Sequence, residues 1–437
     1  MLKKLNDFLN KKDILEFGNK IFLLGVLFLP SALPISIILF LPSLFIGFLK
    51  KDFYIFKDKW NYPLLVSIGI ILFSSLNISF LNKDLFLNNY DISLIWINLF
   101  NWLPIFFYFW GFQIYLKKHQ QRIIFAKILL LGSIPVIVSF ALQFFFKIYG
   151  PFKTFFDLIV WYQKPLAAGN FVAGLFSNPN YASIWLGLIL PFAVFFLNRY
   201  KKVPVKAIFL LFLCFSLIYC IFLTGSRNGI LSLGIITLFI FGYRKFFIFS
   251  FSFISIYFLP KIYQYFYDPS NRIYLIGDKF FLDFTFQTPR IDIWRSALLR
   301  IQERPLWGWG GSTFPYLHFF KNETFIPPKK LILAQHSHNI VLELSHNFGI
   351  PLTILMISTM LLLIYKSWQI IYFSYESNNK LLLEKVWLTS IIIFLSTHLT
   401  DITFYDGKIS ILISILFSGL KCILDNKISN KKGVLSG

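Results

Sequence analysis

Four of the six histidines, His318, His336, His338 and His346, fall between residues 261 and 348. Imidazole is the side chain best suited to exchange a proton near neutral pH, so this clustering points to general acid–base chemistry. The densest part is Gln335-His336-Ser337-His338-Asn339, followed by Ile340 to Leu344 with Glu343, then His346, Gly349 and Pro351. A His-x-His pair near Glu343 also has the donor types of a metal site. There is no His-Glu-x-x-His helix and no cysteine ligand beside it, so the reading taken forward is a general base with no metal and no cofactor.

The same stretch holds four arginines in fifteen residues: Arg290, Arg295, Arg300 and Arg304. They lie on a segment that opens at Thr288-Pro289-Arg290 and reads as an amphipathic helix, with Ile291, Trp294, Leu298 and Ile301 expected on one face. Pro289 suits the first helical turn. A planar guanidinium offers two parallel donors to phosphate; the alternative is a solvated or headgroup-facing basic surface. After Arg304-Pro305, Gly308-Trp309-Gly310-Gly311 is expected to be a flexible turn. It precedes no Lys-Ser/Thr and follows no strand, so nothing supports a nucleotide phosphate loop.

Two further segments carry candidates. Thr224-Gly225-Ser226-Arg227-Asn228-Gly229 joins two apolar runs almost without a loop. An arginine inserted at that depth costs roughly 2.5–3.5 kcal/mol unless it snorkels or meets an anion. Ser177-Asn178-Pro179-Asn180 reads as a helix start with Asn180 as the N-cap. His398 and Asp401 end another apolar run and either line a site or cap the helix.

The elements that position these residues are membrane helices. Of 437 residues, 57% are hydrophobic and only 14% charged, and the apolar residues form long runs without an amphipathic period. At about 17–25 residues per crossing, spans are expected near 21–32, 33–49, 63–80, 93–115, 123–149, 180–198, 204–223, 229–243, 245–260, 349–366, 385–400 and 407–424. The expected fold is therefore an all-α polytopic membrane protein of about twelve transmembrane helices. It divides into 1–260, a large helical loop over 261–348, and 349–437. The polar start contains no leader-like apolar core, and Leu5, Phe8 and Leu9 fit a solvated tail or a weak interfacial helix.

The net charge of +22 sits in short clusters between the runs, which argues for the positive-inside effect and against nucleic acid. Lysines 3, 4, 11 and 12 before the first run and 50, 51, 57 and 59 after it belong on one side, which requires a hairpin of two crossings. Both termini are then cytoplasmic and residues 261–348 periplasmic or lumenal. Cys214, Cys220 and Cys422 lie in or beside apolar runs and read as packing residues. No internal repeat of the transporter kind is evident.

Taken in order, Ser177-Asn178-Pro179-Asn180, Ser226-Arg227-Asn228-Gly229, Arg290 with Trp294, Arg304-Pro305-Leu306-Trp307-Gly308-Trp309-Gly310, and His338-Asn339 with Leu342-Glu343 and Gly349 resemble the O-antigen ligase and O-antigen polymerase superfamily of bacterial inner membranes. The resemblance covers about residues 170–370. It implies metal-independent transfer of a glycan from an undecaprenyl-pyrophosphate carrier to an acceptor hydroxyl at the periplasmic face. Arg227 and Arg290 would bind the pyrophosphate and His338 would act on the hydroxyl. Asn339, His336, Asn180, Arg295 and Glu343 are expected to support them. A ligase, with a lipid A core sugar as acceptor, is the reading taken forward. A polymerase, a protein O-oligosaccharyltransferase, or a lipid-linked glycan flippase of a different class are the alternatives.

Overall fold

The computed structural model describes residues 12–50, 58–81, 90–150, 152–154, 159–161, 171–252, 255, 289–321, 334–373 and 381–435. The leading Leu5, Phe8 and Leu9 and residues 261–288 lie outside them. The chain is an all-α multi-pass membrane protein; eight of its described helices are long and apolar enough to cross a bilayer. Described helices fall on every one of the twelve runs, several of them shorter than a full crossing. One departure from an all-helical chain is a short antiparallel ladder of β1, Phe152–Thr154, and β2, Ile159–Trp161.

Helices α1 (Lys12–Phe28) and α2 (Leu33–Lys50) form the expected hairpin, although α1 begins well before the predicted residue 21. Close approach explains why small residues recur there. Ser36 Oγ donates to the Gly25 carbonyl at 2.7 Å, and a Cβ on Gly47 would lie 2.4 Å from the Gly111 carbonyl. Next come α3 (Asn61–Leu76), extended by a π-helical turn to Leu81, α4 (Ser93–Gly111), the short α5 (Gln113–Leu116), α6 (His119–Gly132) and α7 (Ile134–Phe145).

The centre of the bundle is built by α8 (Pro179–Tyr200), α15 (Leu382–His398) and α16 (Gly407–Leu435). Trp185, Phe192, Trp387, Ile391 and Leu416 are wholly buried among them. By contrast α9 (Pro204–Leu223) leaves Ile208, Phe209, Phe212 and Phe215 exposed, an apolar surface that suits lipid rather than water. Helix α10 (Arg227–Ile236) continues as a π-helical turn to Phe241. Cys214, Cys220 and Cys422 are free and buried.

Three helices lie in the expected outer loop: α11 (Pro289–Glu303), α12 (Phe314–Lys321) and α13 (Ile340–Phe348), which leads into α14 (Ile350–Tyr372). The buried face of α11 is not the predicted one. Ile293, Ser296, Ala297, Arg300 and Ile301 face inward, while Ile291 and Leu298 are exposed. Ala297 and Ile293 pack on Phe314 and Ala334 with Trp294 at the edge, so contacts within the loop set the face and leave Ile291 and Leu298 outside it.

The Gly308-Trp309-Gly310-Gly311 turn is not flexible. The Trp309 N–H donates to the His346 carbonyl at 2.8 Å and the Gly310 N–H to the Asn347 carbonyl at 2.9 Å. Arg304 donates to the Gly308 carbonyl and to Asn77 Oδ1, and its guanidinium lies over the Trp309 ring. Gly308 has φ +66°, and a Cβ there would lie 2.6 Å from backbone atoms of residues 346–348. Replacing Gly308 with Ala should therefore cost at least about 1–2 kcal/mol from the left-handed backbone alone. Thermal unfolding of the detergent-purified variant should show a lowered midpoint; an unchanged midpoint would mean that the turn relaxes freely.

Candidate active site

Residues Leu399, Thr400 and Asp401, between α15 and α16, draw four helix N-termini together. Asn180 Nδ2, at the second residue of α8, donates to Asp401 Oδ2 at 2.8 Å. Arg290 Nη2, at the second residue of α11, lies 3.5 Å from the same oxygen. The Thr400 hydroxyl donates to Asn228 Oδ1 in the first turn of α10 at 2.8 Å. Asn339 caps α13 by accepting from the Val341 and Leu342 N–H groups, and its amide donates to the Leu399 carbonyl. Helix N-termini carry partial positive charge, so this corner favours an anion before any side-chain charge is counted.

His338 completes the corner. Its Nδ1 lies 2.8 Å from Asp401 Oδ1, which also accepts the Ile402 N–H. Asp401 is 2% exposed. Burial works against its charge, but the hydrogen bond and charge of His338 and the charge of Arg290 outweigh this and hold its carboxyl below the ordinary range. An ionised carboxylate only accepts, so His338 must carry its proton on Nδ1. When the ring is neutral the Nε2 lone pair is open to a proton, and once it is protonated its charge adds to the hold on Asp401; the His338 side chain is 27% exposed.

A second set of contacts fixes the His338 backbone, which sits at φ +54°. Glu343 is buried; its Oε2 accepts the Ser337 N–H at 2.9 Å, and its Oε1 accepts from the Tyr405 hydroxyl and the Asn347 amide. The Ser337 hydroxyl donates to the Asn339 carbonyl. Behind His338 the His336 ring meets it edge-on at 4.3 Å between centroids and stacks on Tyr405. Burial, joined by the nearby charge of His338, pushes the His336 pKa down against the pull of Glu343 and Asp401, so its ring is neutral. Burial and the Glu343 charge push the Tyr405 hydroxyl far up, leaving it a fixed donor.

Of the expected site residues, the structure gathers His338, Arg290, Asn180 and Asn339 at the 399–401 corner. Arg227 is exposed at the first residue of α10, next to Asn228. Asn180 is not the N-cap of α8: Asn178 is, accepting the Asn180 N–H at 2.8 Å, which frees the Asn180 amide for Asp401. His336 and Glu343 act behind His338 rather than beside it. Arg295 is exposed on α11 and is not bonded into the corner. His398 is buried, its ring held by the Phe394 carbonyl and the Thr403 hydroxyl, so of the pair ending α15 it is Asp401 that lines the site. Among the described residues no group of three or more His, Cys, Asp or Glu side chains is arranged to hold a metal.

The fold and this corner define a multi-pass helical membrane protein with a His–Asp pair set among arginines and helix N-termini. Residues 212–357, a stretch containing Arg227, Arg290 and His338, match the family model described as O-antigen ligase. The match upholds, over residues 212–357, the resemblance to the O-antigen ligase and polymerase superfamily read from the motifs. The match supports activity of that type, on lipid-linked glycans in a membrane. None of the curated proteins compared with the chain matches it.

Asp401 gains its low pKa from folded-state partners, so its contribution to stability is complete above the ordinary carboxylate pKa and is lost as pH falls through the lower folded value. The melting temperature of wild type should exceed that of Asp401→Asn at pH 7, and the gap should close below about pH 4. A gap independent of pH would show that the carboxylate charge is not what holds the corner.

Proposed function

We propose that the protein is a glycosyltransferase of the O-antigen ligase type, moving a glycan from undecaprenyl pyrophosphate to a hydroxyl of a lipid A core sugar. The observation that supports it best is the Asp401–His338 pair set beside Arg290 where four helix N-termini meet. In this reading the 399–401 corner faces the periplasm and the lysine-rich ends of the helices face the cytoplasm of a bacterial inner membrane. Residues 261–348 then form the outer catalytic loop between two blocks of membrane helices, 1–260 and 349–437.

The donor pyrophosphate lies against Arg290 and Arg227, whose forks take up the charge that grows as it leaves. The acceptor hydroxyl approaches His338 Nε2. Its oxygen attacks the anomeric carbon, the bond from that carbon to the phosphate oxygen breaks, and the electron pair departs with the pyrophosphate. The hydroxyl proton passes to Nε2, while Asp401 stabilises the imidazolium through Nδ1. Asp401 is not itself the nucleophile, because it is buried and its oxygens are taken up by His338, Ile402, Asn180 and Arg290. Attack in a single step inverts the anomeric centre.

Two features favour an enzyme over a flippase. The described buried charged groups sit towards the ends of the bundle, with Glu384 beside Arg122 and His119, and Lys421 beside Asp58 and Asp425, at the end away from Asp401. A translocation path would place them along its middle. The His338 geometry, moreover, has no use in transport.

Transfer by purified protein, assayed with lipid-pyrophosphate-linked glycan and lipid A core, should fall by about 10²–10⁴-fold in His338→Ala, the share a positioned base supplies. Arg290→Lys and Arg227→Lys should each impair transfer despite keeping charge, because lysine lacks the fork. Full activity of all three variants would refute this assignment of roles. Glycan lengthening on its own carrier would identify a polymerase, and lipid crossing the bilayer without transfer a flippase. EDTA should leave the rate unchanged; loss restored by one divalent ion would instead implicate His336 and His338 as ligands.

A further inference from the structure

At the far end of α8 from the active site, a cavity of about 420 Å³ opens between α6, α7, α8 and α9. Its walls are apolar, including Leu130, Phe209 and Leu213, but two lysines, Lys127 and Lys206, line it as well. Lys206 Nζ lies 4.9 Å above the Tyr200 ring, which also faces the cavity. Both lysines are exposed, and among the described residues neither has a carboxylate partner.

Position adds to this. Lys127 is the ninth residue of α6 and the fifth from Ile123, where the helix turns apolar, about 6 Å into the apolar stretch. A cation inside an apolar span normally finds an anion or extends to the interface. Val205, Phe209, Leu131 and Ile134 leave the cavity mouth apolar and exposed, so a hydrocarbon chain can enter from the side. A ligand that satisfies both halves carries a phosphate next to acyl chains.

We propose that this groove binds an anionic glycerophospholipid of the surrounding leaflet, its phosphate between Lys127 and Lys206 and an acyl chain along Leu130, Phe209 and Leu213. The donor lipid is the wrong occupant. Tyr200 is about 30 Å along α8 from Asn180, so a pyrophosphate held at Asp401 cannot reach these lysines, and a polyprenyl tail alone brings no charge to them. Neighbouring Arg199, Lys201 and Lys202 raise the local concentration of anionic headgroups on the same side.

The test is native mass spectrometry of the full-length protein released from detergent, with phosphatidylglycerol and phosphatidylcholine of matched chains. Wild type should keep one phosphatidylglycerol under activation that strips phosphatidylcholine. K127Q/K206Q should weaken phosphatidylglycerol binding by about 30-fold, the factor expected for two lysines near an anionic surface. K127R/K206R should retain it, which separates loss of charge from loss of fold, and K201Q/K202Q should change it by less than about threefold. Equal retention of the two lipids by wild type, undiminished binding by the Gln pair, failure of the Arg pair, an equal loss in K201Q/K202Q, or a retained mass matching a polyprenyl lipid would each overturn the proposal.

Discussion

A carboxylate buried at the end of a membrane bundle is the constraint on which the site is built. Removing Asp401 from solvent costs several kcal/mol unless its charge is met by donors. Those donors come from different parts of the chain: Asn180 on α8, Arg290 on α11, His338 ahead of α13, and the Ile402 N–H beside it. Satisfying one buried charge therefore fixes the relative positions of three helix starts. Thr400 adds a fourth through Asn228. The same contacts that offset the burial cost set the tautomer of His338, so stability of the corner and readiness of the imidazole have a common cause.

The described residues of the 289–348 stretch meet this corner through fixed contacts rather than as a tether. Glu343, with Tyr405 and Asn347, holds the Ser337 N–H and so presents His338 at a positive φ that few residues adopt. Beneath it, the turn around Gly308 hydrogen-bonds to the α13–α14 junction, and Ser74 on α3 donates to the Trp307 carbonyl at 2.6 Å. Backbone contacts of this kind tolerate little movement, which is what a base needs if it is to meet a substrate hydroxyl at hydrogen-bond distance.

Much of this was legible in the sequence because membrane helices announce themselves by length and hydropathy. The α1–α2 hairpin followed from lysine clusters on both sides of a proline-broken run, Arg227 stood out as a charge between two apolar runs, and His338 and Arg290 stood out by clustering and by the family resemblance. The weight of Asp401 was not legible. A single acidic residue at a span end reads as a cap, and only the fold brings it to His338, 63 positions earlier. The face of α11 was misread for a related reason: small Ala297 and polar Ser296 and Arg300 are buried by loop-to-loop packing, which periodicity of large apolar residues does not record. Asn178 and Asn180 both suit an N-cap by residue type, and Pro179 at the first helical position makes Asn178 the cap.

The central claim is that the 399–401 corner receives the pyrophosphate while His338, oriented by Asp401, faces the reacting carbon. A structure of the protein bound to a lipid-pyrophosphate-linked glycan tests it most directly. The account predicts phosphate oxygens within hydrogen-bond distance of the Arg290 and Arg227 guanidinium groups, the His338 Nδ1–Asp401 contact intact, and Nε2 open toward the face of the anomeric carbon opposite the leaving group. A pyrophosphate bound away from both arginines, or a His338 turned from Asp401 with Nδ1 toward the sugar, would contradict it.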